Sequence, residues 1–110
     1  MEKKYDKLIR DKIPEIIVAN GGKPFYHQLD DTEYWNYLLK KDIEELDEVR
    51  MAESLEERKK ELADKLEILI AMAEFSGCTL SDIISIADKK RASNGGFQKR
   101  LLLEKVVEEK

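Results

Sequence analysis

The chain has 110 residues, enough for a single domain over 1–110 with a modest core that self-association would help to complete. Charged residues make up 40%, aromatics 7%, and the formal net charge is −4; this suits a helix-rich protein and, with no overall basic field, argues against binding a nucleic-acid polymer. No stretch has the apolar length of a membrane span, Met1-Glu2-Lys3-Lys4 lacks a signal peptide's apolar region, and the lone Cys78 cannot form an internal disulfide, so the expectation is a cytoplasmic protein with no membrane partner.

A first helix is predicted from Asp11 to about Asn20, with Pro14 tolerated in its first turn, Ile13, Ile16 and Ile17 as its apolar stripe, and Gly21-Gly22 as its stop. An extended segment, 23–29, follows. Asp31 or Thr32 is the expected cap of a second helix reaching about Ala52. Ser54-Leu55-Glu56-Glu57 reads as a capping box for a third helix that stops at Ser76-Gly77. Thr79, with Asp82 as the matching acid, opens a fourth helix ending near Ser93, and Asn94-Gly95-Gly96 breaks the chain. The Leu101-Leu102-Leu103 tail fits either a short strand paired with 25–29 or a helix turn. The fold class is therefore all-α, an antiparallel bundle of about four helices, with room for a small β pairing. The short link between helices two and three forces them antiparallel.

Two carboxylate pairs lie on that hairpin. Glu45 and Glu48 sit three apart on helix two, and Glu61 and Asp64 three apart on helix three; residues at that spacing share a helix face. Glu48 lies near the end of one helix and Glu61 near the start of the next, so the pairs lie at similar heights. On helix three, Leu55, Leu62, Ala63, Leu66, Leu69, Ile70 and Ala73 form one apolar stripe, read as the ordinary core face. Ile68, Ala71, Met72 and Phe75 form a second stripe nearly opposite, and Glu61 and Asp64 continue it toward the N-terminus. On helix two, Trp35, Leu38, Leu39, Ile43, Leu46 and Val49 form the core stripe. Glu45 sits at its edge, on a strip with Tyr34, Tyr37, Lys41 and Ala52 that suits a cleft wall. Asp42 falls inside the core arc with no evident partner.

A Glu-rich helix shows Glu-x-x-Glu by chance, and a solvated face is the ordinary reading of Glu44-Glu45-x-x-Glu48 alone. The second pair, in line with buried residues, reverses that preference. Glu53, Glu56, Glu57, Glu67 and Glu74 are assigned to solvated or capping roles. Four facing carboxylates repel unless a cation sits among them. An all-oxygen set with no histidine or cysteine suits Mg²⁺, Mn²⁺ or Ca²⁺. The di-iron alternative needs histidines that are absent from the bundle, His27 being the only one, and the Asp/Asn/Gly spacing of a Ca²⁺ loop is missing. Mg²⁺, with Mn²⁺ as a substitute, points to a phosphorylated substrate and its hydrolysis. Lys89, Lys90, Arg91, Asn94, Lys99 and Arg100 around Gly95-Gly96, and Lys7, Arg10 and Lys12 near the first helix, are the available phosphate partners. Basic helix ends also arise simply because they suit the helix dipole. Tyr34, Tyr37, Trp35 or Phe97 could stack on a base.

Glu-Glu-x-x-Glu, twelve residues, then Glu-x-x-Asp resembles the metal motif of the all-α nucleoside triphosphate pyrophosphohydrolases, the MazG-like group. The segments Tyr5-Asp6-Lys7-Leu8-Ile9-Arg10-Asp11-Lys12-Ile13-Pro14-Glu15-Ile16-Ile17 and Arg91-Ala92-Ser93-Asn94-Gly95-Gly96-Phe97 look like its phosphoribosyl-ATP pyrophosphohydrolase-like branch. The resemblance implies a helical bundle forming a homodimer or higher homo-oligomer. It implies Mg²⁺-dependent cleavage of a nucleotide substrate between the α- and β-phosphates, releasing pyrophosphate and a nucleoside monophosphate. By position, Glu45, Glu48, Glu61 and Asp64 would be metal ligands, and Glu44 would orient or deprotonate the attacking water. Lys89, Arg91, Asn94 and Arg100 would hold phosphates, assisted by Arg10 and Lys12, with Lys41 on the cleft wall as a further substrate-binding candidate. The alternative is a non-catalytic helical module, with Ile68, Ala71, Met72 and Phe75 as an oligomer or partner interface and the acids as its polar rim.

Overall fold

Capping chemistry decides where the helices begin. In the computed structural model, which describes residues 1–108, α1 spans Ile13–Ala19, α2 Asp31–Met51, α3 Leu55–Ser76 and α4 Leu80–Asn94. The fold is all-α. No strand occurs among the described residues, so residues 23–29 and the tail from Phe97 do not form the β pairing allowed for above.

The first helix starts later than expected. Arg10, Asp11 and Lys12 make a turn closed by the Ile13 N–H on the Arg10 carbonyl at 3.1 Å. The cap of α2 is Asp30, not Asp31 or Thr32: its carboxylate accepts from the Glu33 N–H at 2.9 Å, and its own N–H reaches the Glu33 carboxylate at 3.5 Å. At α3 the Ser54 hydroxyl accepts from the Glu57 N–H at 3.1 Å, while the Glu57 carboxylate reaches one residue further back, to the Glu53 N–H at 3.0 Å. The reciprocal Thr79–Asp82 box at α4 forms as the spacing predicts. Gly77 ends α3 with φ +95°, a conformation a side chain would strain, and the Cys78 N–H closes back on the Ala73 carbonyl at 2.9 Å. The axes of α3 and α4 are bent by 105° across this break.

Residues 52–54 turn α2 back on α3, and these two helices form an antiparallel hairpin. Its internal face is not the one the apolar pattern favours. Leu38, at 1% exposure, meets the side of α3 that carries the buried Ile68 and the half-buried Ala71 and Met72. This is the stripe that continues into Glu61 and Asp64. Phe75 packs edge-on against Tyr34 and stacks on Trp35, with ring centroids 5.5 and 5.6 Å apart. Ile68, Ala71 and Met72 thus pack on the inner side of the hairpin. The expected core leucines face outward instead: Leu39, Ile43 and Leu46 on α2, and Leu55, Leu62, Leu66 and Leu69 on α3, are all exposed. Of that expected core, Leu38 and Ala73 are the two buried residues, with Trp35, Val49 and Ile70 half-buried.

The molecule is drawn out, 69 × 35 × 24 Å, with a radius of gyration of 19.1 Å, against about 13 Å for a compact chain of this length. Its accessible surface is 10467 Å², whereas a compact monomer of this mass exposes about 6,300 Å². Among the described residues, no single helix is long and apolar enough to cross a membrane.

Candidate metal centre

The acids meet because the hairpin brings the C-terminal half of α2 beside the N-terminal half of α3. Glu45, Glu61 and Asp64 each present a carboxylate oxygen within 4.8 Å of the others, and all three are half-buried. Glu48, the fourth expected ligand, does not join this triad. It is exposed and, with Glu61, Met51, Ala52 and Glu57, lines a cleft of about 70 Å³ at the end of the hairpin. Glu44 is half-buried beside Glu45.

Crowding of like charge is visible in Glu45. Burial pushes its carboxyl up from the ordinary 4.5 to about 7, aided by a hydrogen bond with Glu61 and by the charges of Asp64 and Glu61; Lys41 pulls the other way. The Glu45 Oε2 atom is itself buried and has no hydrogen-bond partner. A buried acceptor without a donor is destabilising. A divalent cation among these oxygens would satisfy it, and an all-carboxylate donor set suits hard cations such as Mg²⁺ or Mn²⁺ by its chemistry.

The segment before α1 lies across the same hairpin and was not foreseen as a structural element. Asp6 accepts from the Tyr37 hydroxyl at 2.5 Å and pairs with Lys40 at 3.5 Å. These contacts hold the Asp6 carboxyl below its usual range and push the Tyr37 phenol up. Leu8 and Ile9 are half-buried between the anchors. Arg10 then donates to Asp64 at 2.6 Å. The orphan Asp42 finds its partner in Lys65, 2.8 Å away on α3.

The remaining cations do not converge within one chain. Lys12 is exposed at the start of α1, and Lys89, Arg91 and Asn94 lie on the last turns of α4. Arg100, with a left-handed φ of +58°, is in the tail. Asp64 and Arg91 are each about three turns from the α3–α4 bend, which leaves roughly 20 Å or more between them.

No protein-family model matches the chain, and no solved structure matches it. A curated protein of Mycolicibacterium smegmatis, named only as an uncharacterized protein, is 46% identical over 48 residues, which is 44% of this chain and 49% of that protein. The chain thus spans about half the length of the curated relative it matches.

Proposed function

We propose that the chain is a magnesium-dependent nucleoside triphosphate pyrophosphohydrolase of the MazG-like kind, cleaving between the α- and β-phosphates. The observation that carries this reading is the meeting of Glu45, Glu61 and Asp64 across two helices, with a buried Glu45 oxygen that has no donor. Mg²⁺, or Mn²⁺ in its place, would neutralise charge developing on the phosphate oxygens, the chief source of acceleration in this chemistry. Glu45, Glu61 and Asp64 would hold the ion, with Glu48 on the neighbouring cleft as a fourth candidate ligand. Glu44 orients the attacking water and takes its proton. Arg10 and Lys41, the cations nearest the acids, hold phosphate oxygens.

Lys89, Arg91, Asn94 and Arg100 could serve the same site only from a second copy of the chain, because within one chain they lie far from the triad. The outward leucines of α2 and α3 favour such a homo-oligomer: paired face to face, two hairpins make a four-helix bundle with a leucine interior. The surface in excess of a compact monomer is about 4,000 Å², well above the roughly 800 Å² per partner of a standard interface.

The test is a screen for pyrophosphate release from canonical and modified nucleoside triphosphates with Mg²⁺ and Mn²⁺. Wild type is expected to turn over at least one of them and Glu45→Gln none. Magnesium-dependent release that survives in both Glu45→Gln and Asp64→Asn refutes the site. The same outward leucine face also favours a second reading, a non-catalytic association module. That reading predicts no release from any nucleotide and a melting temperature indifferent to Mg²⁺.

A further inference from the structure

Arg10 is the one cationic side chain, among the described residues, that pairs directly with the acid triad. Its place follows from the strap that residues 5–12 lay across the hairpin: Asp6 is tied to Tyr37 and Lys40 on α2, Leu8 and Ile9 are half-buried, and Arg10 pairs with Asp64 on α3. The bond is short, but its two side chains are 56% and 41% exposed. Ion pairs that wet contribute about 0–1 kcal/mol, so this one is readily exchanged. A guanidinium stays charged throughout, so once displaced from Asp64 it remains a cation free to pair with another anion.

We infer that Arg10 is a placeholder cation: it holds Asp64 while the triad is without a divalent ion, yields Asp64 when one arrives, and is then free to fork onto the oxygens of a polyphosphate. This holds only if Glu45, Glu61 and Asp64 receive a divalent ion, as proposed above. Asp6 and Tyr37 are positioning residues on this view, keeping the strap in reach of both partners. Asp64 thus exchanges one positive partner for another of higher charge, while the arginine changes role from counter-ion to phosphate ligand. The bidentate geometry of arginine suits both partners, carboxylate and phosphate.

The experiment compares wild type, Arg10→Gln, Arg10→Lys and Tyr37→Phe by Mn²⁺ calorimetry and by melting with and without Mn²⁺. It then measures the affinity for non-hydrolysable imidotriphosphate in saturating Mn²⁺. In Arg10→Gln, Mn²⁺ should bind about two- to fivefold more tightly, the size of one exposed ion pair. Its melting temperature should lie below wild type in chelator and rejoin it in Mn²⁺, and imidotriphosphate should bind several-fold more weakly. Arg10→Lys should fall between the two, and Tyr37→Phe should shift Mn²⁺ affinity in the same direction by less. A melting deficit in Arg10→Gln that is equal with and without Mn²⁺, together with unchanged Mn²⁺ affinity, makes Arg10 a purely structural tether and overturns the inference. If wild type and Arg10→Gln both fail to bind Mn²⁺, the divalent-ion reading itself has failed and the placeholder role goes with it.

Discussion

Among the described residues, Glu45 is the acid whose carboxyl is pushed furthest from its ordinary value, chiefly by burial, and its behaviour with pH should report it. Its carboxyl is raised from 4.5 to about 7 in the folded state. Between those values the folded chain holds a proton that the unfolded chain has released. The stability it contributes is therefore fully present below about 4.5 and is lost as pH rises through about 7. Because the triad is only half-buried, solvent screening reduces the effect to about 1 kcal/mol. Melting in chelator from about pH 4 to about pH 8 checks it: wild type should lose stability across that window relative to Glu45→Gln. At neutral pH, Glu45→Gln should lose pyrophosphate release without melting lower than wild type in chelator. Asp42 illustrates what one sequence withholds at this scale. Its partner, Lys65, lies on the neighbouring helix, and neither spacing nor periodicity within α2 points to it.

At the level of elements, local chemistry was the most legible. Reciprocal caps at Asp30–Glu33 and Thr79–Asp82 anchor α2 and α4. Thr79→Ala should lower stability by about 1 kcal/mol by chemical denaturation, the usual effect of removing an N-cap. The shift of the α2 cap by one residue reflects a run of three candidates, Asp30, Asp31 and Thr32, of which Asp30 stands three before Glu33. The harder matter was orientation. Periodicity finds two apolar stripes on α3, but periodicity alone cannot say which one a chain reserves for itself. The leucine stripe is larger and reads as the core, yet the hairpin closes on the stripe containing Ile68 and the acids. That reversal brings three of the four expected ligands together and leaves Glu48 at the rim. The strap was invisible for a different reason: residues 5–12 hold their place through Asp6 and Arg10, by long-range polar contacts that leave no local pattern.

For the whole molecule, the exposed leucines set the terms. A chain with Leu38, Ile68 and Ala73 as its buried apolar residues has little core of its own among the described residues. Sedimentation should give a mass at least twice the 12.8 kDa of one chain. Leu66→Glu, which places a charge in the middle of the outward stripe, should dissociate that assembly or lower its melting temperature sharply, whereas Glu67→Lys on the adjoining exposed position should change little. A melting temperature that climbs with protein concentration would follow from the same mass action.

Leu66 and Asp64 stand two positions apart on one rod, one turned outward on the leucine face proposed for pairing and the other toward the acids. Whatever stiffens that rod from either flank prepares it for the other, and such linkage runs equally in both directions. Dilution and chelation should then act as the same injury: thinning the solution loosens the grip on the ion, and withdrawing the ion loosens the partnership.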